Sequence, residues 1–494
     1  MKAFSFELGR NCWREARADA FSVIVDGADY FRALRESLIK AKRLVFMVGW
    51  DFDFEIEMLP GQSDDLGNAP DGFPNAVGPF LDALVERCPT LDIYLLKWSG
   101  GTLFQPRQVV QLAKLKILSP NQIHFALDGH HPIGACHHQK VVVIDDALAF
   151  CGGIDVTDGR WDTPEHLSGD PRRGKGQNIA PPWHDLTTVL SGPAAADLSE
   201  LCRARWYRAN SAEVDEEFLP GGDRWPDSIR PDFTNIKVGI ARTEPPENGR
   251  PITAEIERLY LESILSAERV IYLESQYFCS DSIFRAIRSR LVQPNGPEVI
   301  IINPEAAHNF VEDAAMHVTR SRMMRALKAV DHGDRFMILY PINDAHEAIY
   351  IHAKVQIVDE DFLRVGSSNI DRRSMGFDTE CDIALMANSP RDKARVRDIR
   401  NGLLAEHLGC ERDELASKIE QTGSVIAAIK ALNRGDGRGL RAIQPRREGV
   451  LGSILANTRF FDPRYRRSRR PASGSPLFRM TRDNGHIPTL TNFG

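Results

Sequence analysis

Apolar positions alternate between two periods along this chain. After Asp26, the residues Tyr30, Phe31, Leu34 and Leu38 recur at the spacing of one helix face, and an apolar run at 44–48 then reads as a buried strand. The succession returns in the second half, where Ile256, Leu259, Tyr260 and Ile264 mark a helix face ahead of a strand at 270–273. Between these points the pattern predicts helices at 77–87 and 108–112 and strands at 92–97 and 123–127. Further on, strands at 298–302 and 336–340 flank a helical stretch at 306–330. Alternating strand and helix predicts an α/β layered sheet in each half, two similar lobes from an internal duplication. Residues 1–20 are polar and Arg-rich with no clear period, and 219–251, with six Pro and four Gly, read as a linker. The expected division is a first lobe over 1–218, the linker, a second lobe over 252–430 and a tail over 431–494.

Composition narrows the class. With 42% apolar and 26% charged residues in 494, the chain can fill two cores of ordinary size. No apolar run approaches the roughly 18 residues that cross a bilayer. The first residues lack the apolar stretch of a secretory signal, so a cytoplasmic or peripheral-membrane location is expected; export without a cleavable signal would leave the same pattern. Eight scattered cysteines with no C-x-x-C pair fit a reducing compartment. Charge is uneven: from Arg434 onward 13 Arg stand against 4 acidic residues, a local +9 in a chain of net −6. Arg464, Arg466, Arg467, Arg469 and Arg470 read as a basic arm for an anionic surface, a membrane above all.

The chemistry is concentrated in a repeated octapeptide. His138-Gln139-Lys140-Val141-Val142-Val143-Ile144-Asp145 and His352-Ala353-Lys354-Val355-Gln356-Ile357-Val358-Asp359 share the pattern H-x-K-x-x-x-x-D. Fourteen residues after each His comes a small-residue turn, Gly152-Gly153-Ile154-Asp155 and Gly366-Ser367-Ser368-Asn369. On an extended chain His and Lys two apart face the same way, which puts an imidazole beside an ammonium and disfavours its protonation. A neutral imidazole beside fixed positive charge suits attack on a phosphorus whose oxygens Lys140 and Lys354 hold. The Ser367 hydroxyl and the Asn369 amide can donate to phosphoryl oxygens, and Gly366, the counterpart of Gly152, lets backbone approach closely. The first copy, with Gly153 and Asp155 at these places, has fewer such donors.

One copy holds half of what a displacement needs. With the halves packed motif to motif, one His serves as nucleophile and the other as acid for the leaving alcohol. Each imidazole also needs an orienting carboxylate, for which Asp185 and Glu380, each opening a strand-like run, are the candidates. Asp145 and Asp359 read as structural ties between strand end and loop. The cluster His130, His131, Cys136, His137 and His138 matches no common zinc spacing and has no counterpart in the second copy, so no metal site is expected there. His166 reads as a loop or rim residue; Trp50, Trp98, Trp161 and Trp183 read equally as core or as the rim of a lipid-facing mouth.

The duplicated H-x-K-x-x-x-x-D with Gly-Ser-Ser-Asn resembles the phospholipase D superfamily over about residues 26–409. Within that span, residues 152–166, Trp183-His184-Asp185, Glu274-Ser275-Gln276-Tyr277-Phe278 and 373–380 are more similar to the phospholipases than to the cardiolipin synthases. The resemblance implies a bilobal α/β/α fold with the site between lobes, His138 as nucleophile, His352 as acid and a phosphohistidine intermediate. It implies hydrolysis of the head-group phosphodiester of a phospholipid to phosphatidic acid, with water or a small alcohol as acceptor, without a cofactor or a catalytic metal. The alternatives are a cardiolipin synthase-like phosphatidyltransferase and a nuclease of the same superfamily. An acidic body and Trp183-His184-Asp185 argue against nucleic acid as the partner.

Overall fold

The computed structural model describes residues 4–100, 119–175, 178–215, 223–247, 249–307, 310–446, 458 and 462–464. The first half contributes strands β1 (Arg14–Val25), β2 (Leu44–Gly49), β3 (Asp92–Trp98), β4 (Ile123–Asp128), β5 (Val141–Ile144), β6 (Leu148–Gly152), the short β7 (Gly174–Lys175), β8 (Asn178–Ile179) and β9 (Trp183–His184), and β10 (Leu186–Ser191). The second half contributes β11 (Phe233–Glu244), β12 (Thr253–Ala254), β13 (Val270–Glu274), β14 (Glu298–Ile302), β15 (Phe336–Ile342), β16 (Tyr350–Ile351), β17 (Val355–Val358), β18 (Phe362–Gly366), β19 (Glu380–Met386) and β20 (Gly439–Ala442).

The α/β architecture expected in each half is present, and hydrogen bonding carries it through both halves as one sheet. Its order is β20-β15-β14-β13-β17-β18-β19-β11-β1-β10-β6-β5-β2-β3-β4. Read outward from the antiparallel β1–β11 seam, the two arms run through equivalent strands in the same sequence, and β20 is added at one edge. The motif strands β5 and β17, apolar but for Gln356, are buried at every position, as short strands between neighbouring strands and under helices on both faces must be.

The seam corrects the linker. Residues 233–244, inside the segment expected to connect two lobes, form β11, paired to β1 from Arg14↔Ile240 to Phe21↔Phe233 and to β19 on its other side. Both seam strands are the central strands of the molecule. β1 was missed because Glu15, Arg17 and Asp19 keep one face in solvent while the other begins with small Ala16, Ala18 and Ala20, which leaves little hydrophobic contrast. The tail boundary also moves: β20 pairs antiparallel with β15, and Asp462 is buried, accepting the backbone N–H groups of Arg372 and Arg373 at 2.7 and 2.9 Å. The helix expected at 108–112 and the arginines beyond Arg464 lie outside the described residues.

Helices cover both faces. On one, Pro193–Asn210 and Pro390–Leu408 pack on a core that crosses the seam, joining Phe46, Val143 and Leu198 of the first half to Ile357, Leu385 and Leu404 of the second. On the other, each half has its own core, under helices Asp26–Ile39 and Val77–Arg87 in the first and Glu255–Ser266, Asp281–Leu291 and Phe310–Lys328 in the second. A shared layer on one face ties the halves into one unit, and the motif ends of β5 and β17 are fixed relative to each other.

Candidate active site

The His and Lys of each motif lie in the extended segment just before the ladder of β5 or β17. Each segment crosses to the opposite half for its backbone partners. His138 N–H donates to the Thr379 carbonyl at 3.0 Å and Thr379 N–H to the Cys136 carbonyl at 3.0 Å. In the second copy, β16 pairs parallel with β9, and His352 N–H donates to the His184 carbonyl at 2.8 Å. The residues after these contact points are Glu380 and Asp185.

This crossing decides the side-chain pairing. His138 Nδ1 lies 3.0 and 3.1 Å from the two carboxylate oxygens of Glu380 in the other half. His352 Nδ1 lies 2.6 Å from Asp185 Oδ2, again across halves. A carboxylate on Nδ1 fixes the proton there and leaves Nε2 with its lone pair free. Lys140 and Lys354 fold back so that each ammonium donates to the carbonyl of its own motif His, and Lys140 also lies 3.1 Å from Asp155 Oδ2. The sequence nominated both carboxylates; that each serves the opposite motif was invisible to it, because the pairing is a property of the seam.

Burial, then the Lys140 and Lys354 charges, holds the His138 imidazole well below its ordinary range, so it is neutral near pH 7. Burial does the same to His352, helped by Lys354, Arg160 and Lys140. Burial pushes the Asp185 carboxyl up and the Glu380 carboxyl well up. Glu380 nevertheless takes three donors, His138, Ser367 Oγ at 2.5 Å and Ser374 Oγ at 2.8 Å, a set that fits an ionised acceptor. The Lys354 ammonium, fully enclosed, falls to about 7.

The remaining motif residues are engaged in contacts within the protein. The buried Ser367 hydroxyl, expected to face phosphate, donates to Glu380 and accepts from Cys381 N–H at 3.0 Å. Asn369 donates from Nδ2 to Gln276 Oε1 at 3.3 Å, and its buried Oδ1 has no hydrogen-bond partner. The glycines admit protein, not ligand: a Cβ on Gly366 would lie 2.0 Å from Asp382 Oδ1, and one on Gly152 2.4 Å from Thr187 Cα. Asp145, at φ 51°, accepts the N–H groups of Lys42, Arg43 and Leu44 and the Arg224 guanidinium; Asp359, at φ 55°, accepts those of Glu268, Arg269 and Val270. Both pin the strand that follows a helix and touch no site group.

His166 is no rim residue; it is fully buried among carboxylates. His137 bonds Thr379 Oγ1 at 2.9 Å and lies 3.0 Å from Asp128, and His131 Nε2 accepts from Trp98 Nε1 at 2.9 Å, so the dense histidine run is used in protein contacts. Trp183 is buried, stacked on Tyr350 at 4.8 Å and tilted over His352 at 4.9 Å. Arg160, not singled out from sequence, lies 4.3 Å over the Trp183 ring and adds to the field on His352. Its only signal was its place in the stretch 152–166.

A family model described as Phospholipase D matches residues 121–220 and 341–433, one motif in each region. Phospholipase D delta of Arabidopsis thaliana is 25% identical over 461 residues, covering 65% of this chain and 52% of its own length. Phospholipase D alpha 1 of Nicotiana tabacum is 25% identical over 550 residues (78% and 65%), and Cardiolipin synthase A of Pseudomonas putida 26% over 294 residues (59% and 53%). The chain thus spans half to two thirds of the length of these relatives. Phosphatidylserine synthase of Haemophilus influenzae Rd KW20 shares the fold, with a TM-score of 0.54 at 13% identity over 86% of this chain and 97% of that one. No described helix is long and apolar enough to cross a membrane. Two matched regions, each carrying one H-x-K-x-x-x-x-D motif in one half of a duplicated α/β sheet, support placing this chain in the phospholipase D superfamily.

Proposed function

We propose that the chain cleaves the head-group phosphodiester of a phospholipid by two displacements through a phosphohistidine, with water or a small alcohol as second acceptor. The observation that carries this is the crossed pair of buried His–carboxylate contacts, His138 with Glu380 and His352 with Asp185, between two lysines. In the first step His138 Nε2 attacks phosphorus while the P–O bond to the head group breaks, and protonated His352 gives its proton to the departing oxygen. His352 is neutral in the free site because burial, and then the lysine field, oppose its charge; the anionic phosphodiester offsets that field and favours the imidazolium. In the second step neutral His352 takes the proton of the entering O–H, the new P–O bond forms and the P–N bond breaks. Lys140, Lys354 and Asn369 hold the phosphoryl oxygens in both steps.

The relatives named phospholipase D support a phospholipid substrate, and the similarity to Cardiolipin synthase A keeps a lipid alcohol open as acceptor. One assay separates these. Full-length protein is given vesicles of mixed phospholipids, with and without ethanol, beside a nucleic-acid control. Release of head group, phosphatidic acid in water and phosphatidylethanol with ethanol are expected, all lost in His138→Ala. Formation of a two-phosphate lipid from phosphatidylglycerol, without free phosphatidic acid, would replace the reading by phosphatidyl transfer. Cleavage of nucleic acid alone would overturn both.

A further inference from the structure

A second cluster of titratable groups lies behind the site and is used by none of the chemistry above. Asp26, His166, His184 and Glu406 are brought together from the start of helix Asp26–Ile39, the loop before β7, β9 and the end of helix Pro390–Leu408. Their donor atoms all lie within 4.8 Å of one another. His184 Nδ1 is 3.1 Å from Asp26 Oδ1 and 3.0 Å from Glu406 Oε1; His166 Nε2 is 3.6 Å from Asp26 Oδ2 and 3.2 Å from Glu406 Oε1. A tetrahedron with metal–ligand bonds of about 2.0–2.1 Å has edges of about 3.3–3.4 Å, a length that the four His–carboxylate separations bracket, with Asp26 turning one oxygen to each imidazole.

Two independent observations point inward. Asp26 Oδ2 and His184 Nδ1 are buried with no hydrogen-bond partner, although each has a ligand atom of the opposite kind within 4 Å. His166 Nε2 is hydrogen-bonded to Glu406 Oε1 at 3.2 Å, whereas His184 Nδ1, 3.1 and 3.0 Å from Asp26 and Glu406, lacks hydrogen-bond alignment with either and is left aimed at the point between them. The outer nitrogens of both imidazoles are engaged as metal-bound histidines require: His166 Nδ1 meets Asp162 Oδ2 at 3.0 Å and His184 Nε2 meets Glu274 Oε2 at 3.0 Å. Each of those carboxylates is fixed in turn, Asp162 by Arg173 at 3.1 Å and Glu274 by Tyr272 and by His407 at 3.1 Å.

We infer that Asp26, His166, His184 and Glu406 bind one four-coordinate divalent transition-metal ion, with zinc as the best match, in a structural site distinct from the catalytic histidines. Two imidazoles with two carboxylates suit zinc, and two negative charges neutralise it in a buried place. Where the extended chain runs from β9 into Asp185, successive side chains point to opposite sides, so the ion sits behind His184 while Asp185 turns to His352. It joins three first-half ligands to Glu406 of the second half, holding the strand that carries Asp185. It does not touch substrate, and the displacement runs without it.

The test is metal content, read apart from activity. Full-length protein, made without a histidine tag in zinc-supplemented medium and purified without chelator, is expected to carry about one zinc per chain by inductively coupled plasma mass spectrometry. His166→Asn and Glu406→Gln are expected to lose it, whereas the paired change His130→Asn with His131→Asn keeps it. Should the first two variants fail to fold, wild-type protein reconstituted with Co²⁺ is expected to show the strong visible bands of a four-coordinate ion, and zinc-edge absorption fine structure two imidazoles and no sulfur. Folded wild-type protein that holds no metal after incubation with Zn²⁺ overturns the inference, as does full metal retention in folded Glu406→Gln. A cobalt spectrum of six-coordinate type, or sulfur in the zinc shell, overturns it equally.

Discussion

At the scale of the residue, Lys354 carries a conflict between stability and function. Burial lowers its ammonium to about 7 against an ordinary value near 10.5, so between these values the unfolded chain binds more protons than the folded one. Stability therefore rises with pH across that window, and the cost of enclosing the charge is fullest below it. Lys354→Met should raise the melting temperature at pH 6, by up to a few kcal/mol of unfolding free energy, and abolish turnover. The gain over wild type should shrink as pH climbs from 7 towards 10; a gain that grows over that interval would contradict the assignment. Differential scanning calorimetry at three pH values reads it directly.

The two histidines should separate by leaving group. His138→Ala removes the attacking nitrogen and is expected to cost at least ~10⁴-fold in kcat with any substrate. His352→Ala removes a proton donor, worth about 10²- to 10⁴-fold for an alkoxide leaving group and far less for a nitrophenolate, which departs without protonation. Kinetics on a natural lipid and on a nitrophenyl phosphodiester check both. If His138→Ala instead keeps the nitrophenyl reaction and His352→Ala loses it, the roles are reversed.

At the scale of the element, what could be read from sequence was what local pattern encodes. The strands β2, β3, β13 and β14 and helices Val77–Arg87 and Glu255–Ser266 announce themselves by apolar period, and the motifs by repetition. Strands β1 and β11 did not, since charged and small residues alternate on β1 and prolines surround β11; their pairing with each other stabilises them. The His–carboxylate crossing was hidden for the same reason. The protein partners of Ser367 and of the glycines were not legible, because a sequence shows a hydroxyl or a missing Cβ, never its neighbour. Gly153 makes the neighbour testable: a Cβ there would stand 2.1 Å from Asp185 Oδ1. Gly153→Ala should displace that carboxylate from His352, lowering kcat and destabilising by about 1–3 kcal/mol. Gly402→Ala, in helix Pro390–Leu408 with nothing within 4 Å, should leave activity intact and stabilise by up to about 1 kcal/mol. Equal kinetics for the two variants would mean that Asp185 does not orient His352.

At the scale of the molecule, charge and connectivity divide the work between an acidic body and a basic end. Asp462 and Arg464 pack onto the second half, through the Arg372 and Arg373 backbone and through Glu257, so a clean truncation begins after Arg464. Removing that end should weaken binding to anionic vesicles by up to ~1 kcal/mol per Arg near the surface and leave a soluble diester unaffected. The deeper question is whether one chain completes one site. His138 takes its carboxylate from the second half and His352 from the first, while the β1–β11 seam and the common core join these halves within a single chain. A His138→Ala chain retains an intact His352–Asp185 pair, and a His352→Ala chain an intact His138–Glu380 pair. If halves exchanged between chains, a mixture would rebuild some complete sites, as domain-swapped assemblies do. The continuous seam forbids that exchange in folded protein, so mixing the two purified variants should recover no activity beyond their sum. Co-refolding them from denaturant should give the same result, because each chain closes its own seam. Activity that reappears in the co-refolded mixture in proportion to concentration would show that the site assembles between chains, and the single-chain arrangement would have to be abandoned.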